Sequence, residues 1–129
     1  MNLSLSPLPA LTIVALCASC GTPAQSPDTV LMTVQDGGTV VTGSYRTEGF
    51  SQSQVRSLVG RICTSAGFSG FNQTVNGSSA SFSASCAGQT KYTNGADAVY
   101  SRQEDGSVTY VVRYTQNGRA LQEDGSLRI

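Results

Sequence analysis

The sequence contains no histidine and no tryptophan, and it carries little charge. Histidine is the commonest general base and the commonest metal ligand in proteins, so both kinds of site lose their usual residue. Only 12% of the residues are charged, and 8 Lys and Arg balance 8 Asp and Glu, so a binding surface for DNA or RNA is not expected. A length of 129 residues allows one small domain and excludes a two-domain enzyme built on large α/β folds.

Sequence motifs for catalysis are missing as well. There is no Gly-x-Ser-x-Gly turn, no phosphate-binding loop and no Gly-x-Gly-x-x-Gly segment after a strand. Lys91 is the only lysine, and thus the one base open to a nucleophilic serine, but its polar neighbours indicate a solvated loop. Glu48 and Asp97 are candidates for a carboxylate pair, for which so small a domain leaves little room. We expect a protein that is not an enzyme and that holds no cofactor or metal.

The start of the chain is uncharged and partly apolar. No Asp, Glu, Lys or Arg precedes Asp28. Residues 8–18 form an apolar run with the length of a signal-peptide core, well short of the ~20 residues needed to span a bilayer. The run leads into Leu16-Cys17-Ala18-Ser19-Cys20-Gly21, and a polar stretch with two prolines follows.

This arrangement resembles the lipobox of bacterial lipoproteins, in which a peptidase cuts before a cysteine that is then acylated, with palmitate among its chains. The resemblance implies a signal peptide at 1–19, lipidation of Cys20, a tether at 20–28 that has no reason to fold, and one domain at 29–129. Cys17 stands where the family usually has Leu. Gly21 implies sorting to the outer membrane, with the domain facing the periplasm. Plain secretion after cleavage near Ala18 and an uncleaved anchor are the alternatives.

The lipobox resemblance also accounts for the four cysteines. It implies that Cys17 leaves with the signal peptide and that Cys20 is acylated, so Cys63 and Cys86 remain as a pair. An exported chain meets an oxidising compartment, and we expect a disulfide between them. Closing this loop adds ~3 kcal/mol on the chain-entropy account. Two buried free thiols are the alternative.

One amphipathic helix is predicted over residues 52–66. A capping box of Ser51 and Gln54 marks its start, with Phe50 placed to pack onto Val55. Gly67 is expected to end it. One face carries apolar residues at i, i+3, i+4 and i+7 spacing, namely Val55, Leu58, Val59, Ile62, Cys63 and Ala66, and the other face carries Arg56 and Arg61.

The rest of the chain alternates polar and apolar residues between short turn signals. Predicted strands at 29–35, 39–47, 71–75, 79–86, 96–103 and 107–115 flank turns at Asp36-Gly37-Gly38, Asn76-Gly77 and Asp105-Gly106, and Asn117-Gly118 turns the chain once more. The fold class is therefore α+β, with an antiparallel sheet of about five to six strands and one amphipathic helix packed on one face. The expected order is β-β-α-β-β-β-β, which lets helix and sheet share one core.

Two further features concern acidic and aromatic residues. The pentapeptide Gln-Glu-Asp-Gly-Ser occurs at 103–107 and at 122–126, and we interpret both copies as acidic turns, with a duplicated unit as the alternative. Their carboxylates, Glu104, Asp105, Glu123 and Asp124, lack the regular ligand spacing of a calcium loop. Tyr110 and Tyr114 share a strand face, with Tyr100 on the partner strand. Such tyrosines are usually core residues; a ligand platform is the alternative.

Two short segments resemble envelope proteins. Residues 49–60, Gly-Phe-Ser-Gln-Ser-Gln-Val-Arg-Ser-Leu-Val-Gly, resemble the helix opening of small lipoproteins of the outer-membrane barrel-assembly machinery. Lys91-Tyr92-Thr93-Asn94-Gly95, with Val99-Tyr100 beyond it, is similar to a stretch of membrane-bound C-type lysozyme inhibitors, which are lipidated and disulfide-linked. We expect a non-catalytic lipoprotein, held to the membrane by its lipid, that binds an envelope protein. An inhibitor or small-ligand binder is the alternative.

Overall fold

The computed structural model describes residues 25–63 and 67–129, which form one antiparallel sheet of seven strands and one helix. The predicted signal peptide, Cys17 and Cys20 lie outside the described residues. In chain order the elements are β1 (Thr29–Val34), β2 (Val40–Arg46), α1 (Gln52–Ile62), β3 (Phe68–Asn76), β4 (Ser79–Cys86), β5 (Ala96–Arg102), β6 (Val108–Gln116) and β7 (Arg119–Leu127). Within this part of the chain, no helix has the length and hydrophobicity needed to traverse a bilayer.

The strands lie in the order β3-β4-β2-β1-β5-β6-β7. Four neighbouring pairs are hairpins, and the predicted turn signals connect them. The chain leaves the hairpin pattern twice. It passes from β2 through α1 to β3, skipping the position that β4 later fills, and it passes from β4 to β5 around the end of the β1–β2 hairpin. The predicted α+β class is thus confirmed.

The predicted strand number is too low because the second copy of the pentapeptide is a strand. Residues 103–107 form the β5–β6 connection, as expected, whereas residues 122–126 lie inside β7 and pair with β6 from Thr109 to Arg113. The two copies therefore adopt different backbones. Pairing with β6 decides the difference, because backbone hydrogen bonding to a neighbouring strand outweighs the local preference of Asp-Gly for a turn.

The helix begins as predicted and ends four residues early. Ser51 accepts a hydrogen bond from the backbone of Gln54, whose side chain in turn accepts one from the backbone of Ser51. At the other end, Cys63 has extended dihedral angles of φ −75° and ψ 127°. Cys86 is bonded to Cys63 and also pairs with Phe68 at the start of β3. A helix continued to residue 66 would carry the chain about 6 Å past this point and would leave only Gly67 to connect it to the start of β3.

The sheet has one covered side and one open side. The covered side, which we call the helix side, takes every second residue of each strand; on β4 these are Ala80, Phe82, Ala84 and Cys86, all buried. Val55, Leu58, Val59 and Ile62 of α1 complete this core. The opposite side, which we call the open face, carries the alternate residues, including four serines on β4. The strict period of two in β4 thus assigns its methyl groups to the core and its hydroxyls to solvent.

The last residues of the predicted tether are attached to the domain. The Gln25 side chain donates hydrogen bonds to the carbonyl oxygens of Thr29 (2.9 Å) and Ser44 (3.2 Å), and the Ser44 hydroxyl donates one to Gln25 (2.9 Å). Pro27 packs directly against Gly49, where a Cβ atom would collide with the Pro27 carbonyl. The expectation that the whole of 20–28 has no reason to fold is therefore wrong for residues 25–28.

The disulfide between Cys63 and Cys86 ties the end of α1 to the end of β4, with 5.3 Å between the Cα atoms and both residues buried. The expected pairing is confirmed. Because the cross-link closes a loop of 23 residues in sequence separation, it restricts the unfolded chain more than the folded one.

We predict that the double variant Cys63→Ser/Cys86→Ser loses about 3 kcal/mol of unfolding free energy, because the loop is no longer closed in the unfolded state. Urea denaturation followed by circular dichroism measures the loss. Reduction of the unchanged protein should lower stability by a similar amount, and reduction should leave the double variant unaffected. Equal midpoints for oxidised and reduced protein would contradict the prediction.

Candidate functional site

A cleft of about 310 Å³ lies on the helix side, where α1 leaves β6 and β7 partly uncovered. We call it the tyrosine cleft. Its lining consists of Arg61, Ile62, Lys91, Tyr92, Tyr100, Tyr110, Val112, Glu123 and Leu127. The cleft combines apolar walls with three phenol groups and three charged side chains, which is the usual make-up of a small-molecule site.

The connection between β4 and β5 brings Lys91 and Tyr92 to the cleft. This connection is fixed to the β1–β2 turn by three hydrogen bonds, two of them from the backbone NH groups of Gly37 to the Thr93 oxygen and of Thr90 to the Gly38 oxygen. The buried hydroxyl of Thr90 also accepts from the backbone NH of Tyr92 (3.1 Å). Lys91 and Tyr92 are therefore fixed in position by contacts with the β1–β2 turn, although they lie outside the strands.

Glu123 is the polar centre of the cleft. The Lys91 ammonium group lies 2.6 Å from one of its carboxylate oxygens, and the Tyr92 hydroxyl donates a hydrogen bond of 2.7 Å to the other. Glu123 stands opposite Val112 in the β6–β7 pairing, so its side chain points to the helix side. One carboxylate thus joins β7 to the β4–β5 connection.

The hydrogen bonds of Glu123 stabilise the charged forms of both Glu123 and Lys91. The hydrogen bond from Lys91, together with that from Tyr92, lowers the pKa of Glu123 below its usual value. The hydrogen bond to Glu123 raises the pKa of Lys91, whose side chain is 63% exposed. A lysine that serves as a general base needs a lowered pKa, so Lys91 is held in the wrong protonation state for that task. The cleft does bring a lysine and a carboxylate together, but as an ion pair.

The tyrosines form the wall of the cleft. Tyr100 and Tyr110 are cross-strand neighbours with ring centroids 5.9 Å apart, and Tyr92 meets Tyr114 edge to face at 5.0 Å. Burial raises the pKa of Tyr100 to about 12 and raises that of Tyr92 further, so both phenols stay protonated. Of the predicted tyrosine group, Tyr100 and Tyr110 line the cleft, whereas Tyr114 lies behind Tyr92.

Tyr110 needs the space that Gly125 leaves on β7. The two residues are paired across the strands, and a Cβ atom at position 125 would lie 2.7 Å from the Tyr110 hydroxyl. Gly125, the glycine of the second pentapeptide, therefore allows the Tyr110 ring to pack closely against β7. Gly106, the glycine of the first copy, has a different role, because it adopts φ +88° in a turn.

Arg61 lies at the rim of the cleft, although the helical pattern places it on the solvent side. Its only described hydrogen bond is a long one of 3.4 Å to the carbonyl oxygen of Arg128. Within residues 25–63 and 67–129, no carboxylate pairs with Arg61. A guanidinium beside tyrosine rings and without a carboxylate partner is suited to an anionic group of a ligand.

The remaining sequence candidates are dispersed. Glu48 pairs with Arg46 at 2.6 Å, and Asp97 accepts a hydrogen bond from Thr33 on the open face. Asp105 stays in its turn, bound to Ser107, while Glu123 lies in β7. In the part of the chain that the structure describes, no three acidic or cysteine residues gather in a metal-binding group. A larger and more open depression of about 610 Å³ is lined by polar and apolar residues in similar measure, among them Asp97, Arg113 and Leu121.

Sequence reasoning missed Tyr92, Glu123 and Arg61 as partners. Residues 122–126 were predicted to be an acidic turn, because Asp-Gly at 124–125 is typical of turns and the segment between Leu121 and Leu127 contains no apolar alternation. The proximity of Lys91 to Glu123 depends on strand order and has no local signature.

We predict that Glu123→Gln lowers the unfolding free energy at pH 7 by up to about 1 kcal/mol, since the pair with Lys91 is partly exposed and screened. Because the folded-state pKa of Glu123 is lowered, its contribution is complete above about pH 4.5 and disappears as the pH falls through that lower pKa. Urea titrations from pH 3 to pH 7 should therefore show a weaker acid dependence in the variant. Asp124→Asn on the open face is the matched control. Parallel curves for Glu123→Gln and the unchanged protein would contradict the assignment.

Comparison with known proteins leaves this geometry without a counterpart. No protein-family model, curated protein or solved structure matches the chain. The resemblances to barrel-assembly lipoproteins and to lysozyme inhibitors therefore remain predictions. The observations that bear on function are the cleft, the disulfide and the sheet.

Proposed function

We propose that this protein is an exported lipoprotein, anchored through Cys20 to the outer membrane and facing the periplasm, which acts by binding and not by catalysis. The observation that carries the proposal is the Cys63–Cys86 disulfide. Structural disulfides form and persist in oxidising compartments and are rare in the cytosol. The cysteine count also supports it, because cleavage before Cys20 and acylation of that residue account for both cysteines outside the disulfide.

The tyrosine cleft supports binding as the mode of action. Its contacts keep Lys91 protonated and Glu123 ionised, and the raised pKa values of Tyr92 and Tyr100 keep these two phenols protonated at neutral pH. Arg61 offers a guanidinium to an anion, and the tyrosine rings offer flat apolar surface. The ligand that fits this combination is a small ring-containing molecule with a carboxylate or another anionic group.

The second candidate is an inhibitor of an envelope enzyme, which the exposed position of Lys91 at the cleft favours. The segment similar to lysozyme inhibitors, residues 91–95, lies in the connection that is fixed to the β1–β2 turn. The Lys91 side chain is 63% exposed and lies beside Tyr92, and tyrosine is a residue type that often dominates the binding of a partner protein. Inhibition of a C-type lysozyme by the purified protein, lost in Lys91→Ala, would establish this candidate; no inhibition would eliminate it.

The anchor is tested by growing cells with radiolabelled palmitate. We predict that the unchanged protein takes up label and fractionates with outer membranes, and that Cys20→Ser takes up none. Cys17→Leu is the matched control, since it restores the residue that lipoboxes usually carry and keeps Cys20. Absence of label in the unchanged protein would overturn the anchor, and label that persists in Cys20→Ser would overturn the assigned residue.

The cleft is tested with pairs of acids and their neutral analogues. We predict that glucuronate or benzoate raises the melting temperature, that glucose and benzyl alcohol do not, and that Arg61→Gln abolishes the shift. Arg119→Gln, at the start of β7 and outside the cleft, should keep it. Comparison of glucuronate with benzoate shows whether the cleft binds a sugar ring or an aromatic ring. If neither acid produces a shift, or if Arg61→Gln leaves the shift unchanged, the cleft is not an anion-binding site.

A further inference from the structure

The open face combines an apolar stripe with a field of uncharged hydroxyl groups. The stripe consists of Leu31, Val99 and Val111, which lie side by side on β1, β5 and β6. Leu31 is 42% exposed and Val99 is 40% exposed, two of the four large apolar residues exposed in the described part of the chain. The surrounding hydroxyl-bearing residues are Thr29, Thr33, Thr42, Ser44, Ser79, Ser81, Ser83, Ser85, Ser101 and Thr109.

The charge of the open face is low. Asp97, Arg113 and Asp124 lie on β5 to β7, and Arg46 at the end of β2 is paired with Glu48 at 2.6 Å. Among the described residues, one unpaired arginine thus stands against two aspartates, which leaves a small negative charge. Such a face repels an anionic lipid surface only weakly, and its contact with lipid depends mainly on the apolar stripe. It differs from the helix side, where Arg61, Lys91 and Glu123 surround the cleft.

Gln25, the first described residue, lies on this face. Gln25 is bound to Ser44 through both its amide oxygen and its amide nitrogen, and Ser44 is the β2 residue directly opposite Leu31. Arg46 adds a 3.4 Å hydrogen bond to the Gln25 carbonyl oxygen. The described chain therefore begins beside the apolar stripe, on the side away from the cleft.

We propose that the open face lies against the membrane surface in the anchored protein, with Leu31, Val99 and Val111 at the boundary between headgroups and acyl chains. This inference rests on the proposed acylation of Cys20. Four residues separate Cys20 from Gln25, and the five steps between their Cα atoms span at most about 17 Å, so the lipid anchor lies close to the stripe. The short link gives the stripe a high effective concentration at the bilayer, and contacts too weak to bind alone then suffice to orient the domain.

In this orientation the open face is turned toward the membrane and the helix side is turned away from it. Hydroxyl groups of serine and threonine meet the phosphate and ester oxygens of the lipids, and the three apolar side chains enter the boundary region. The tyrosine cleft, on the opposite side, faces the periplasm and stays open to ligands. The membrane therefore takes the place of the second layer that covers many antiparallel sheets.

The absence of tryptophan makes a direct test available, because one substitution introduces a single fluorophore. The acylated Val99→Trp protein is reconstituted into phosphatidylcholine–phosphatidylglycerol vesicles whose acyl chains are brominated near the headgroup. Val75→Trp is the matched control; Val75 is 53% exposed on edge strand β3 and pairs with Ala80 of the helix side. We expect emission at shorter wavelength and a loss of intensity for Val99→Trp, and neither change for Val75→Trp. Leu31→Trp repeats the measurement at the neighbouring position.

The outcomes separate this inference from the anchor. Vesicle flotation reports attachment independently of fluorescence. Protein that floats, with Val99→Trp and Leu31→Trp quenched no more than Val75→Trp, overturns the orientation and leaves the anchor standing. Emission shifted to shorter wavelength without quenching means that a protein, and not lipid, covers the stripe, which also overturns it. Unchanged protein that fails to float, as Cys20→Ser is expected to, removes both the anchor and this inference.

Discussion

The structure is governed by a mismatch of size, since one helix of 11 residues packs against a sheet of seven strands. Such a helix is about 16 Å long and cannot cover the width of the sheet. The buried residues concentrate accordingly on β1, β2, β4 and β5, and Tyr110, Tyr114 and Leu127 on the outer strands are only partly buried. The cleft exists because the core ends before the sheet does.

In this uncovered region, polar contacts connect the strands where the apolar side chains of a helix do not reach. Glu123 joins β7 to Lys91 and Tyr92 through two short contacts, and these reach over the incompletely covered strands. The same contacts hold the charges of Lys91 and Glu123 in place at the cleft. A change of this carboxylate therefore alters the attachment of β7 and the charge of the cleft together.

Local patterns in the sequence predicted most of the fold. The alternation in β4, the capping box at Ser51 and the turn signals identified the helix and six strands, because each depends on nearby residues only. The helix end and β7 were missed for non-local reasons: Cys63 is constrained by Cys86, and residues 122–126 by β6. The cleft follows the same division. Its tyrosines were visible as a strand pattern, whereas the approach of Lys91 to Glu123 requires the order of seven strands.

The cross-link between α1 and β4 also bears on the order of events in the life of the chain. It connects the only described helix to β4, the strand next to edge strand β3, and its contribution of about 3 kcal/mol is a large share of the stability of a small domain. Before oxidation the chain is easier to unfold, and oxidation shifts the equilibrium toward the folded form. In the export that we propose, the chain would cross the membrane in its less stable reduced state, and oxidation on the far side would then hold it in the folded form.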